Sequence, residues 1–158
     1  QSFNGVDVNL GARWGTAERE ARAAVAAVTA QPSGDPTVWA VGGTVGYAGF
    51  TIGGSYAEND NDTAGNVGDQ EGWSLGATYD IAGPWSVGLD TYQGEVTTNA
   101  AGGKAEYAAY QLVGRRALGA GVNWDVYAVY AEGKTRDGAG NFNRIEGTVI
   151  GTSINLSF

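Results

Sequence analysis

The chain has 158 residues and a formal net charge of −8; only 16% of its residues are charged, and 27 are glycine. It contains no cysteine and no histidine, which excludes disulfides, thiolate metal sites and catalysis or pH sensing through imidazole. The acidic charge argues against a nucleic-acid partner. No stretch approaches the ~20 apolar residues of a transmembrane helix. Because the chain also lacks methionine, we expect that a signal peptide or a longer N-terminal part has been removed.

Alternation of apolar and polar residues predicts about eight strands, with lengths close to the ~9–11 residues of a tilted transmembrane strand. In chain order they cover 3–14, 37–47, 50–58, 72–81, 85–95, 106–116, 122–133 and 145–158. Short turns at 48–49, 82–84 and 119–121 alternate with long polar connections at 15–36, 59–71, 96–105 and 134–144. This alternation is typical of outer-membrane barrels. The sequence therefore predicts an all-β fold, with residues 1–158 forming a single antiparallel transmembrane β-barrel domain.

The connection at 15–36 contains the one helix-prone stretch, residues 16–31. Thr16 is a candidate N-cap, and Glu18 and Glu20 fall in the first turn, where carboxylates favour the helix dipole. We therefore expect a long, partly helical extracellular loop. It either stays outside as an ordered loop or folds over the mouth of a pore.

The alternation divides the predicted wall into two faces. One face carries aliphatic residues with aromatics near the strand ends, as in an apolar band between two aromatic girdles. A soluble sandwich or a lipocalin-like barrel also alternates, but its aromatics should point inward. The opposite face carries the polar and charged residues predicted to line a pore: Asp7, Asn9, Arg13, Thr78, Asp80, Asp90, Gln111, Arg115, Asn123 and Asp125.

The small size of most residues on the polar face predicts a wide barrel. An eight-stranded barrel is just wide enough to be filled by side chains, yet this face is rich in Gly, Ser, Thr and Ala. Such a face leaves a water-filled space, so the chain forms only part of a wider wall. Its excess of Asp over Arg predicts a mild preference for cations. Arg13 and Arg115 either face the pore or pair locally with Asp7 or Asp125.

The C-terminal strand leads to a family resemblance. Apolar residues or threonines recur at every second position from Ile150 to Leu156, and Phe158 ends the chain. This ending resembles the signal read by the outer-membrane barrel-assembly machinery. Together with "GWSLGATYDIAGPWSVGLDTYQGE" and "AAYQLVGRRALGAGVNWDVYAVYAEG", it resembles the C-terminal half of a general-diffusion porin of the alphaproteobacterial, Rhodobacter-like type.

The resemblance implies a sixteen-stranded barrel of which this chain holds about half, with the family's constriction loop before Gln1. It also implies a homotrimer in the outer membrane of a Gram-negative bacterium, in contact with lipid and lipopolysaccharide. The expected function is passive diffusion of small hydrophilic solutes and ions, without a required cofactor. The alternative is a complete eight-stranded barrel that acts as a structural anchor or adhesion protein.

The sequence also bears on two other kinds of site, a calcium loop and a catalytic centre. Asp60, Asp62, Gly65 and Glu71 occupy the first, third, sixth and twelfth positions of a calcium loop, but the fifth is Ala64 and flanking helices are not expected. This makes the loop a weak candidate for Ca²⁺. Catalysis is not expected, because the known barrel phospholipases and proteases need an imidazole base that this chain lacks.

Overall fold

The structure, a computed structural model, describes residues 2–18, 35–63, 66–99, 101–136 and 139–157. These residues form one antiparallel sheet in which each strand pairs with the next along the chain. The strands are β1 (Ser2–Phe3), β2 (Val6–Thr16), β3 (Thr37–Tyr47), β4 (Phe50–Asp60), β5 (Gln70–Asp80), β6 (Trp85–Thr97), β7 (Lys104–Gly119), β8 (Val122–Arg136) and β9 (Phe142–Leu156). The prediction of an all-β antiparallel fold is confirmed.

The first predicted strand, 3–14, is in fact two strands joined by a tight turn. Asn4 and Gly5 have φ angles of 50° and 80°, and Phe3 pairs with Val6 across them. Positive φ at both central residues defines the type I′ turn that Asn-Gly favours in hairpins. The alternation of Val6, Val8 and Leu10 breaks at Asn4, and this break together with the Asn-Gly pair is the sequence signal of the turn. The sheet therefore has nine strands rather than the eight predicted.

The short turns lie at one end of the sheet, as predicted. Ala48 and Gly49, with φ of 50° and 84°, make a second turn of the same type, and 81–84 and 120–121 complete the set. The strands continue further toward the opposite end than predicted: β7, β8 and β9 contain 16, 15 and 15 residues. A transmembrane strand needs ~9–11 residues. These three strands are therefore long enough to extend well beyond a bilayer on the loop side.

The sheet has no conventional core. Among the described residues no hydrophobic side chain is fully buried, and large ones such as Leu10, Ile150 and Ile154 are 85%, 78% and 65% exposed. An uncovered apolar surface of this extent needs an apolar environment. Within the described residues the sheet is also open, because β1 and β9 form its edges and do not pair with each other.

No helix in the described part of the chain is long and apolar enough to cross a membrane.

The predicted helical loop lies mostly outside the described residues. Thr16 ends β2 and pairs with Thr37, and Glu18 is the last residue described before 35. Residues 19–34, including Glu20, are outside the described ranges, as is Phe158.

Candidate pore-lining face

The strand register places all ten predicted pore-lining residues on one face of the sheet. Residues directly opposite each other in an antiparallel pair point to the same side, and this side alternates along each strand. The direct pairs include Asp90 with Gln111 and Arg115 with Asp125. We call this side the polar face; its ten predicted members are Asp7, Asn9, Arg13, Thr78, Asp80, Asp90, Gln111, Arg115, Asn123 and Asp125.

Arg115 and Asp125 form a two-pronged ion pair on the polar face. Arg115 Nε and Nη2 donate to Asp125 Oδ1 and Oδ2, each at 2.8 Å, and Asn155 Nδ2 donates to Oδ2 at 2.7 Å. Asp125 is only 6% exposed. Local pairing, one of the two alternatives for this arginine, is therefore what the structure has. The paired charges largely cancel at this point of the wall.

The remaining charges of the polar face lie open to solvent. Arg13, Asp80 and Asp90 are exposed and form no ion pair among the described residues. Asp7 is exposed as well and accepts a hydrogen bond from Ser2. After the Arg115–Asp125 pair is set aside, three carboxylates face one guanidinium, so the excess of negative charge predicted for this face persists in the structure.

Small residues keep the middle of the polar face flat. Asn9 donates to Thr44 at 3.2 Å, and the hydroxyls of Ser55 and Ser74 lie 2.8 Å apart. Glycines fill the rows beside them, and a Cβ built at Gly76 would lie 3.1 Å from that of Asp90. A wall of such short side chains leaves space above it for water and solutes.

The polar face also carries tyrosines that sequence reasoning missed. Tyr92, Tyr107 and Tyr127 lie on it by register. Tyr92 lies over the directly paired Gly72 and Gly94, with its Oη 2.8 Å and 2.7 Å from Cβ atoms built there. An aromatic ring that covers glycine restores packing that the strand would otherwise lack. Apolar–polar alternation predicts which face a residue occupies. That Tyr92 lies over Gly72 depends instead on the register between β5 and β6.

The opposite side, the apolar face, carries two rows of aromatic contacts. Near the short turns, Phe50 stacks on Tyr79 with ring centroids 4.1 Å apart, and Trp85 meets Trp124 at 6.2 Å. Six residues further along β8, Tyr130 stacks on Tyr110 at 6.4 Å. Along a strand, six residues span about 20 Å. Two aromatic rows with aliphatic residues between them match the pattern of girdles at the two membrane boundaries.

A row of charged residues lies beyond the second aromatic row and was also missed. The register aligns four glutamates and two basic residues on six adjacent strands: Glu58, Glu71, Glu95, Glu106, Lys134 and Arg144. We call them the charged row.

Part of the charged row is neutralised by ion pairs. Lys104 pairs with Glu95, and Arg144 reaches Glu132 at 2.8 Å and Glu146 at 2.7 Å. Like charges directly opposite each other still destabilise a sheet. The row escaped prediction because part of it falls where loops were expected and because its alignment depends on the register of six strands.

The three calcium candidates do not form a metal site in the described residues. Asp60 Oδ1 accepts a hydrogen bond from the backbone N–H of Asp62 at 2.7 Å, and Glu71 on β5 accepts one from Tyr56 at 2.8 Å. No group of three or more acidic side chains in the described part of the chain is placed to hold a metal ion. Residues 64–65 of this loop lie outside the described ranges, and the calcium site stays a prediction.

The comparison with protein families agrees with the two faces. The family of Gram-negative porins matches residues 1–138. The chain belongs to the Gram-negative porin family. No curated protein and no solved structure matches it. Membership in a family of porins supports a channel rather than an enzyme.

Proposed function

We propose that this porin is an outer-membrane channel through which small hydrophilic solutes and ions diffuse passively. The observation that carries the proposal is the contrast between the two faces. The polar face holds exposed Asp80, Asp90 and Arg13 beside small residues, whereas the apolar face holds aliphatic residues between two aromatic rows. Exposed charges need water, and the apolar face needs lipid. A wall between lipid and a water-filled lumen satisfies both requirements.

We further propose that the chain forms about half of a sixteen-stranded barrel of the alphaproteobacterial type and that the protein is a homotrimer. The open sheet supports the first part, since β1 and β9 are unpaired edges in the described residues. The short side chains on the polar face also favour a lumen wider than eight strands enclose. The same two observations weigh against the alternative, a closed eight-stranded anchor or adhesion protein with a filled interior.

The charged row supports a contact with lipopolysaccharide. It lies four residues beyond Tyr110 and Tyr130 on β7 and β8, where the apolar face would leave the hydrocarbon layer. Lys134 and Arg144 can approach anionic lipid headgroups there. Recognition of Phe158 by the barrel-assembly machinery, and a loosely bound Ca²⁺ at the loop of Asp60 and Asp62, belong to the same proposal.

Ion selectivity tests the proposal. Protein in its native length would be placed in a planar bilayer under a salt gradient, and the reversal potential measured. We expect ohmic single-channel steps and a mild preference for cations. Asp90→Lys should shift the reversal potential toward anion selectivity, whereas Glu106→Lys, a matched swap on the apolar face, should leave it nearly unchanged.

Two results would contradict the proposal. If Asp90→Lys leaves selectivity unchanged, the polar face does not line the pore. If folded native protein produces no conductance, the anchor alternative replaces the channel.

A further inference from the structure

From β4 to β7 the charged and uncharged parts of the polar face occupy different halves of the wall. Arg13, on β2, is the polar-face charge that lies level with the uncharged half. The short-turn half carries Asp7, Asp80, Asp90 and the Arg115–Asp125 pair. In the loop half, three successive register rows from β4 to β7 contain no charged side chain. These rows are Asn59–Gln70–Val96–Ala105, Ala57–Gly72–Gly94–Tyr107 and Ser55–Ser74–Tyr92–Ala109.

A cleft of about 710 Å³ lies over this neutral part of the wall. Its polar-face lining includes Tyr92, Tyr107, the glycine pair Gly72 and Gly94, and the amides of Asn59 and Gln70. Four glutamates of the charged row also border the cleft, but the register places their side chains on the apolar face: Glu58, Glu71, Glu95 and Glu106. This volume falls within the range of small-molecule sites, which are mostly apolar with a few polar groups.

Two tyrosine rings line the cleft. Tyr92 and Tyr107 have ring centroids 5.9 Å apart and are 46% and 48% exposed. Tyr92 is held against the wall because its hydroxyl end lies over Gly72 of β5 and Gly94 of its own strand, β6. The two rings are tilted by 50° to each other and together form a half-exposed aromatic platform at the loop end of the polar face.

The chemistry of the platform selects one class of solute. Tyrosine rings offer an apolar surface together with a hydroxyl group, and amide side chains both donate and accept hydrogen bonds. From β4 to β7 these rows carry no charged side chain, so a charged solute would lose hydration there without gaining an ion pair. A saccharide has apolar C–H faces that suit the rings and hydroxyls that suit the amides.

We propose that Tyr92 and Tyr107, with Asn59 and Gln70, form a subsite for neutral saccharides at the loop-side mouth of the lumen. This inference rests on the proposed channel function and adds a solute class to it. A sugar would meet the neutral platform before it reaches the charged half of the wall. Solute selection and ion selectivity would then depend on different residues.

The test uses native-length protein in a planar bilayer, with maltotriose added to one side at a time. We expect the sugar to reduce the ion current in a concentration-dependent manner, more strongly from the loop side. Tyr107→Ala should raise the half-blocking concentration about two- to tenfold, the range expected for loss of one aromatic contact. Tyr127→Ala, which removes a tyrosine from the charged half of the same face, should leave that concentration unchanged.

A second variant tests the subsite while preserving the packing of the wall. Tyr92→Phe keeps the ring over Gly72 and Gly94, so it should conduct normally and retain most of the block. Equal block in wild type and Tyr107→Ala, or block by tyramine but not by maltotriose, would overturn the saccharide subsite while leaving the channel intact. Absence of any conductance would instead overturn the channel function and the subsite with it.

Discussion

Replacement of Arg115 should expose how much the wall depends on one ion pair. Arg115→Met removes two of the three side-chain hydrogen bonds that converge on Asp125, those at 2.8 Å, and leaves the bond from Asn155. The Asp125 side chain is 9% exposed and would keep its charge with little access to water, whereas Arg115 is 50% exposed. The poorly solvated Asp125 carboxylate should therefore account for most of the loss in stability.

The size of the effect follows from these contacts. Hydrogen bonds to charged groups contribute about 1.5–3 kcal/mol each, but the half-exposed guanidinium already interacts with water, which reduces its contribution. We expect Arg115→Met to lower the free energy of unfolding by about 2 kcal/mol. Arg115→Lys should cost about half as much, because an ammonium keeps the charge but cannot form the two-pronged contact.

The measurement is guanidinium unfolding of the folded protein in detergent, followed by tryptophan fluorescence. Arg13→Met is the matched control, since Arg13 lies on the same face, is exposed and has no ion pair among the described residues; its midpoint should stay at the wild-type value. Equal midpoints for Arg115→Met and Arg13→Met would refute the structural role of the pair. A wild-type midpoint for Arg115→Lys would show that charge matters and two-pronged geometry does not.

Three further changes test other parts of the fold through the same unfolding midpoint. Gly49→Val should destabilise by about 1–2 kcal/mol, because a β-branched residue is strained at the φ of 84° that the turn requires; an unchanged midpoint would contradict the type I′ turn. Glu71→Gln should stabilise the fold by about 0.5 kcal/mol at low salt, because it removes the repulsion of Glu71 by Glu58 and by Glu95 on the two neighbouring strands. The gain should shrink in high salt, and a salt-independent effect would argue against repulsion. Gly151→Ala should destabilise, because its Cβ would collide with the Tyr127 ring, whereas Gly147→Ala meets nothing within 4 Å and should not; equal effects would show that Tyr127 moves aside at little cost.

The sequence alone was enough to predict an all-β fold, most of the strands, the short-turn end and the assignment of residues to two faces. The physical reason is that side chains alternate with a period of two along any strand, so the polarity of a residue largely shows its side. The ten residues predicted for the polar face share it in the structure for this reason. The predicted strand 3–14 overlooked the turn at Asn4 and Gly5, where the alternation of Val6, Val8 and Leu10 breaks.

The tertiary structure decided what depends on the register between strands. Register brought Arg115 opposite Asp125, placed Tyr92 over Gly72 of the adjacent strand and aligned the charged row across six strands. These contacts join residues between 10 and 30 positions apart, and a shift of two residues would keep every face assignment while changing every partner. Alternation along one strand carries no information about that shift. Local sequence therefore determined which face a residue occupies, and the assembled sheet determined which residues meet there.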